Sequence, residues 1–177
     1  MQPALDQMLS SLGPHEYSAL DLENLRALRS KATVNEEAIS YLRRVIQVRL
    51  DIITSELNNR RSGASPSDVS DIINRLPHIL FETHVAGGSN RPPSSLEVPE
   101  IPDDLTLMVD EVLPTSRLVA LGELQEDEIV ALCAAAEELE REISDARRKL
   151  HDIIDGLGHE LARRFRSGES PVGSIEN

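Results

Sequence analysis

The chain has 177 residues and a formal net charge of −13, which comes from 31 acidic and 18 basic side chains. Because phosphate neutralisation supplies most of the affinity for a DNA duplex, so acidic a chain is not expected to bind DNA directly. Aromatic residues make up only 2% of the chain, and this scarcity beside abundant Leu, Ile, Ala, Glu and Arg is typical of coiled coils.

The sequence contains no recognisable membrane or secretory signal. No apolar run approaches the roughly 20 residues that a helix needs to cross a bilayer. The first residues also lack the basic and then apolar order of a secretory signal. The single cysteine, Cys133, lies in an apolar run and is interpreted as a small core residue. We therefore expect a cytoplasmic protein that does not bind membranes.

Proline, glycine and charge patterns divide the chain into a helical domain with a tail at each end. Within the domain, leucines from Leu20 to Leu28 form either a separate short helix or the opening of the first long helix. The predicted segments are a flexible N-terminal tail over residues 1–17, a helical hairpin domain over 18–166 and a disordered C-terminal tail over 167–177. Inside the domain they are a first long helix over about 34–61, a linker over 62–123 and a second long helix over about 124–166.

The predicted linker has its own internal signals. Residues 65–68 match a helix-capping pattern, so a short helix is predicted over 69–76. Residues 85–104 contain paired glycines and several prolines, which predicts a flexible or extended stretch. Residues 105–121 are apolar and interrupted by Pro114, and the sequence assigns them no clear structure.

A set of five polar residues occurs twice in the chain with the same spacing. Each member of the second copy lies 104 positions after its counterpart in the first. On a helix, the steps of 4, 3, 4 and 4 residues place the five members within roughly 80° of one another. The two copies therefore predict two polar stripes on two helices. Their members are Glu36, Ser40, Arg43, Gln47 and Asp51 in the first copy, and Glu140, Ser144, Arg147, His151 and Asp155 in the second.

An apolar seam runs beside each polar stripe with heptad-like spacing. Two such helices predict an all-α fold, a long antiparallel coiled-coil hairpin with short accessory helices and a flexible linker. If the copies face each other about a pseudo-twofold axis, the numbers of facing residues add up to 191, as for Arg43 with Arg148. The predicted seams are Ile39, Leu42, Ile46, Leu50, Ile53 and Leu57, and Ile143, Ala146, Leu150, Ile154, Leu157 and Leu161.

The stripes have two interpretations. Surface helices commonly carry charged pairs at these spacings, and Glu36 also fits a capping box that begins at Thr33. Capping does not account for Glu140, which lies inside a long helical pattern, and a solvated face has no need of Ser at the same place twice. A ligand-binding stripe and a salt-bridged coiled-coil face are both consistent with the spacing.

The residue types in the stripes suit guanine. A carboxylate can accept from the N1–H and the amino group of guanine, and an arginine can donate to O6 and N7 or pair with phosphate. The sequence has no glycine-rich phosphate loop and no activated nucleophile, so we expect no enzymatic activity and no catalytic cofactor. Its five histidines lack the spacing of a metal site, so no metal is expected.

The doubled spacing E-x3-S-x2-R-x3-Q-x3-D resembles the signature of the RsiG family of actinobacterial anti-sigma factors, formerly known as aerial-mycelium formation proteins. The segments from Ser40 to Arg44 and from Asp51 to Ile53 are also similar to that family. The resemblance implies a hairpin that binds two molecules of cyclic di-GMP through both stripes. The loaded hairpin would then sequester a WhiG-type sigma factor of the flagellar and sporulation class from RNA polymerase. The chain would be monomeric apart from sigma. All ten stripe residues would contact the ligand, and the five residues of each stripe would form one half-site.

One residue departs from that signature, because His151 stands where glutamine is expected. A neutral imidazole can donate or accept once but cannot replace both ends of an amide. Protonation in mildly acidic solution would add a positive charge to this stripe. Two alternatives stay open beside the anti-sigma interpretation: a hairpin that binds RNA polymerase directly without nucleotide, and a purely structural coiled coil.

Overall fold

The computed structural model of the chain describes residues 2–13, 16–63, 65 and 99–168. The described residues form helices and turns without a β-strand, and the two long helices pack against each other in antiparallel directions. The predicted all-α hairpin with short accessory helices is therefore confirmed. In chain order, the elements are α1 (Pro3–Ser10), a 3-10 turn (Tyr17–Ala19), α2 (Leu22–Arg61), α3 (Asp103–Val112), α4 (Thr115–Val119), a second 3-10 turn (Leu121–Glu123) and α5 (Glu126–Ser167).

Helix α2 begins at Leu22, so the predicted start near residue 34 is wrong. The Asp21 carboxylate caps the helix by accepting a hydrogen bond from the Asn24 backbone N–H at 2.7 Å. Leu22, Leu25 and Leu28 therefore belong to the opening of the first long helix, whereas Leu20 lies before its cap. Thr33 is a weak helix former, but its neighbour Ala32 is fully buried. Packing against the rest of the domain outweighs the low propensity of this stretch.

The predicted apolar seams form the centre of the hairpin. Ten of their twelve residues are buried, and the other two, Leu50 and Ile154, are partly buried and packed against the same core. Burying one aliphatic side chain of this size contributes about 1.5–3 kcal/mol. The seam is therefore the main source of stability in the hairpin.

The register of the two long helices differs from the predicted one by one helical turn. Residues that touch across the hairpin have numbers that add up to 187, as for Arg43 with Ser144 and for Thr54 with Cys133. The predicted value of 191 is wrong. That register would set Glu36 opposite Asp155, and Asp51 opposite Glu140, so like charges would repel. In the observed register each glutamate meets donors instead.

Helix α1 packs against the hairpin, which makes the predicted flexible tail over residues 1–17 wrong. Leu5 and Leu12 are fully buried in the same core as the seams. Met8 and Leu9 pack against that core from the same helix face. Pro3 occupies the first helical position, where its missing N–H costs no intrahelical bond. The helical spacing of these apolar residues accounts for the docking.

The last part of the predicted linker is folded. Helices α3 and α4 fall within residues 62–123, and Leu105, Val109 and Leu113 are buried in the main core. Arg49 of α2 holds this segment by donating to the Leu113 carbonyl at 2.7 Å and to Asp110 at 3.1 Å. The helix predicted over 69–76, most of the extended stretch over 85–104, and the tail after residue 168 lie outside the described residues.

A buried ion pair near the end of α2 contacts the start of α5. Glu56 is fully buried and accepts from Arg60 Nε at 2.8 Å. The Nη atoms of Arg60 donate to the carbonyls of Leu121, Gly122 and Leu124 at 2.6–3.1 Å. This arginine therefore satisfies the backbone carbonyls of the turn that precedes α5.

The same arrangement recurs 104 positions later. Glu160 accepts from Arg164 Nε at 2.8 Å, and Arg164 Nη2 donates to the carbonyls of Tyr17 and Ser18 at 3.1 and 3.0 Å. Tyr17 opens the turn that precedes α2, just as Leu121 opens the one that precedes α5. We call these two pairs, Glu56–Arg60 and Glu160–Arg164, the Glu–Arg clamps. Each clamp joins the end of one long helix to the start of the other.

Candidate functional site

The polar stripes of α2 and α5 lie side by side along the hairpin. Eight of the ten predicted site residues form two groups of four. Each group consists of two residues from α2 and two from α5. We call the groups the first quartet and the second quartet. The first quartet is Glu36, Ser40, Arg147 and His151, and the second quartet is Glu140, Ser144, Arg43 and Gln47.

The second quartet converges on one carboxylate oxygen. Glu140 Oε1 accepts from Arg43 Nε at 3.0 Å, from Ser144 Oγ at 3.0 Å and from Gln47 Nε2 at 3.2 Å. Arg43 Nε also donates to Ser144 Oγ at 2.9 Å. Glutamate and serine of α5 thus hold the arginine of α2 through its Nε.

The first quartet repeats this geometry with the helices exchanged. Glu36 Oε1 accepts from Ser40 Oγ at 2.6 Å and from Arg147 Nε at 2.9 Å. Arg147 Nε donates to Ser40 Oγ at 2.7 Å. His151 Nε2 lies 2.9 Å from the same Glu36 oxygen, which requires a proton on that nitrogen. Histidine therefore occupies the place that Gln47 takes in the second quartet.

The quartets are open to solvent on one side. The side chains of Arg43 and Arg147 are 34% and 39% exposed, whereas those of Glu36 and Glu140 are 17% and 20% exposed. Ion pairs that solvent reaches to this extent are each worth about 0.2–1 kcal/mol. They hold side chains in place, but they contribute far less to stability than the apolar seam beside them.

Each quartet leaves its outermost polar atoms without a partner among the described residues. The Nη atoms of Arg43 and Arg147 donate to no described group, because both arginines are held through Nε alone. Likewise, no described donor reaches Oε2 of Glu36 or Glu140. Two guanidinium groups and two carboxylate oxygens are therefore positioned and still able to bind a polar ligand.

The ionisation of Glu36 follows from this geometry. Partial burial raises the pKa of the carboxyl, but the hydrogen bonds from Ser40, His151 and Arg147 together have the larger effect. The pKa of Glu36 therefore lies below its usual value. The carboxylate is charged in neutral and mildly acidic solution, where it holds the cationic arginine in place.

The two aspartates predicted as site residues lie just beyond the quartets. Asp51 is partly buried and Asp155 is exposed, one helical turn after Gln47 and His151 respectively. In the observed register, the positions facing them are Ala136 and Ala32, which are both buried. Each aspartate therefore faces an apolar alanine across the hairpin, whereas each glutamate of the quartets faces a polar side chain.

Sequence reasoning missed the Glu–Arg clamps and the arginine that extends the stripe at one end, Arg29. The spacing E-x3-R, repeated at the 104-residue shift, was the available signal for the clamps. Across the described ranges, no group of three or more His, Cys, Asp and Glu residues could hold a metal ion. In the same part of the chain, no helix is both long and apolar enough to span a membrane.

Fold and site together define a helical-hairpin protein with a doubled polar surface. The chain belongs to the RsiG-like family, whose model matches residues 13–80 and 115–176, well over half of the sequence. No curated protein matches the chain. Membership of this family indicates an anti-sigma-factor regulator with a sigma factor as its partner, and a role other than catalysis.

Proposed function

We propose that this protein is a cyclic di-GMP-dependent anti-sigma factor of the cytoplasm. Loaded with two molecules of the dinucleotide, it holds a WhiG-type sigma factor away from RNA polymerase and represses developmental transcription. The observation that carries the proposal is the pair of quartets, in which each arginine is held through Nε and keeps its Nη atoms for a ligand. Family membership supplies the sigma factor as the class of partner.

The chemistry of the quartets suits a guanine dinucleotide. The Nη atoms of Arg43 and Arg147 can donate in a fork to guanine O6 and N7 or to phosphate. The carboxylates of Asp51 and Asp155 can accept from the guanine N1–H and amino group. Each quartet, with the aspartate that follows it, forms one half-site. Because the two half-sites are related by a pseudo-twofold axis, they suit a ligand that is itself twofold, or two copies of it.

The proposed mechanism needs no bond to be made or broken. The bound dinucleotide fills the surface between hairpin and sigma factor and contacts both. By linkage, the factor by which ligand raises the affinity for sigma equals the factor by which sigma raises the affinity for ligand. The hairpin then acts as an anti-sigma factor only when the dinucleotide concentration is high enough.

The test is a pull-down of WhiG-type sigma factor with and without cyclic di-GMP, with cyclic di-AMP and GTP as controls. We expect capture of sigma to depend on cyclic di-GMP, and both Asp51→Ala and Arg147→Ala to abolish that dependence. Arg141→Ala, an exposed position on α5 outside the quartets, is the matched control. Capture that is equal with and without the dinucleotide in the unmodified protein would refute the proposal.

A second candidate function is that the quartets only fasten the hairpin, which would bind RNA polymerase without nucleotide or act as a structural coiled coil. It is favoured by the hydrogen bonds that join the quartet residues of α2 and α5 to one another. The double variant Arg43→Glu with Glu140→Arg separates the candidates, because it keeps an ion pair and exchanges its ligand-facing atoms. A fastening role predicts unchanged partner binding, whereas the anti-sigma proposal predicts its loss.

A further inference from the structure

The residues that lie just beyond the two polar stripes differ between the two ends of the hairpin. Beyond Asp51, Thr54 Oγ1 and Cys133 Sγ meet across the hairpin at 3.7 Å. The positions related to these by the 104-residue shift are Gly158 and Arg29. Arg29 Nε lies 4.0 Å from the point where a Cβ of Gly158 would stand. The guanidinium therefore lies close over a glycine of α5, beyond Asp155.

Arg29 continues the polar stripe of α2. It precedes Glu36 by seven residues, or about two helical turns, and so shares its face of the helix. The guanidinium groups of Arg29 and Arg26 form no hydrogen bond or ion pair with the described residues, although that of Arg26 lies 5.8 Å from the centre of the Phe165 ring. Four other arginines of α2 have carboxylate partners, namely Arg43, Arg49, Arg60 and Arg61.

A cavity of about 330 Å³ lies between these two arginines and the wall of α5. It is lined by Arg26, Arg29, Ser30, Thr33, Val34 and Leu161. The Thr33 hydroxyl donates to the Arg29 carbonyl. No carboxylate lines the cavity, although the chain as a whole carries a net charge of −13. Its two guanidinium groups therefore leave a local excess of positive charge.

We infer that this cavity is an anion subsite in which Arg29, assisted by Arg26, binds a phosphate group of the dinucleotide held by the first quartet. The inference rests on the proposed function in naming the source of that phosphate. A guanidinium offers two parallel N–H donors that match the spacing of phosphate oxygens. Arg29 Nε lies within van der Waals distance of the Cβ position of Gly158, so the guanidinium reaches the α5 side of the stripe.

This assignment makes the two half-sites unequal. The end beyond Asp155 has Arg29, whereas the equivalent position beyond Asp51 is Cys133, which has no positive charge. The first quartet also has His151 where the second has Gln47. The added arginine therefore gives the half-site with the unusual histidine a contact that the other half-site lacks.

The first test is calorimetry of cyclic di-GMP binding in the presence of sigma factor. We expect Arg29→Gln to weaken binding about tenfold, as for loss of one charge-assisted contact, and Arg29→Lys to recover part of the loss. Lys31→Gln is the matched control, because Lys31 lies two residues further along α2 on another face of the helix. If Arg29→Gln binds as tightly as the unmodified protein while Arg147→Ala does not, the subsite is wrong and the proposed function stands.

The second test does not depend on the dinucleotide. Inorganic phosphate is titrated into the full-length protein at constant ionic strength while the Nε–H resonances of arginine are followed by NMR. We expect saturable shifts for Arg26 and Arg29, and loss of the Arg26 shift in Arg29→Gln. Shifts no larger than those of the exposed Arg44 would overturn the subsite. If the resonances respond but cyclic di-GMP does not bind, the anion site stands and its assignment to this dinucleotide fails.

Discussion

Arg43 and Arg147 lie 104 positions apart in the chain, and each donates through Nε to a glutamate and a serine of the opposite helix. Both guanidinium groups are thus fixed before any ligand arrives. A ligand that binds their Nη atoms does not have to order two flexible side chains, which would otherwise cost about 0.5–1.5 kcal/mol each. This relationship makes the role of the glutamates and serines testable apart from that of the arginines.

Replacing Arg43 by lysine tests whether the Nη atoms are the ligand-binding donors. Lysine keeps the charge and can still pair with Glu140, but it has no forked donor. We expect Arg43→Lys to weaken cyclic di-GMP binding about tenfold or more, with the free energy of unfolding changed by less than about 1 kcal/mol. Calorimetry and urea denaturation measure the two quantities. Equal losses in binding for Arg44→Lys, an exposed neighbour, would contradict the specific role of Arg43.

Replacing His151 by glutamine tests the difference between the quartets. The imidazole contacts Glu36 through Nε2, whereas a glutamine amide can donate to Glu36, as Gln47 does to Glu140, and still offer its oxygen to the ligand. We expect His151→Gln to strengthen dinucleotide binding, because it makes the first quartet equivalent to the second. Calorimetry at one pH and ionic strength measures the affinity of both proteins. Equal affinities would show that His151 does not influence the ligand.

The clamp at the end of α5 predicts a pH dependence of stability. Hydrogen bonds from Arg163 and Arg164 lower the pKa of Glu160 to about 2, from an ordinary value of 4.5. A lowered folded-state pKa stabilises the protein above 4.5, and that contribution is lost as the pH falls towards 2. We therefore expect Glu160→Gln to be less stable than the unmodified protein at neutral pH, with the difference shrinking on acidification. Denaturant titrations of both proteins, with Glu138→Gln as the exposed control, measure this difference.

The seam should dominate the stability of the hairpin. Ile143 is fully buried at the centre of α5, and truncation of such a residue to alanine costs about 2–5 kcal/mol. Val130, on the same helix, is 41% exposed, so Val130→Ala should change the free energy of unfolding by about 0.5 kcal/mol or less. Denaturation followed by circular dichroism compares the two variants. Similar effects of both would argue against the seam as the core.

Helix α1 should also be part of the cooperative fold. Leu5 is fully buried against the hairpin, so we expect Leu5→Ala to lower the free energy of unfolding by about 2–5 kcal/mol. Asp6→Ala changes an exposed residue of the same helix and serves as the control. Hydrogen exchange would add a second measure, since a docked α1 is protected. Exchange at the rate of an unfolded chain would show that the segment is a tail.

The seam and the quartet residues were predictable because their spacing is imposed by the helix itself. Leu42 and Ile46 on one helix, and Ile143 and Leu150 on the other, follow the helical period and are buried as expected. The seam and the stripe positions are local in sequence, so neither depended on knowing how the helices meet. The grouping of the polar residues did depend on it. Each stripe was expected to form one half-site, but the structure joins Glu36 and Ser40 of α2 to Arg147 and His151 of α5.

The register could not be obtained in that way. A pseudo-twofold pairing of two copies is satisfied by any register, so the repeat alone does not choose between Glu36 facing Asp155 and Glu36 facing His151. Charge complementarity decides it. The Glu–Arg clamps were missed for a related reason. The repeated E-x3-R spacing marks each ion pair, but the backbone carbonyls that Arg60 and Arg164 bind leave no mark in the sequence.

The clamps limit how the hairpin can move. Since Arg60 and Arg164 tie both ends of the helix pair to the turns before the opposite helices, sliding by one helical turn would break both sets of carbonyl contacts together. It would also leave the Nη atoms of Arg60, which pairs with the buried Glu56, without their carbonyl acceptors. We therefore expect any response to a ligand to consist of side-chain rotation and a small lateral separation of α2 and α5, without axial displacement.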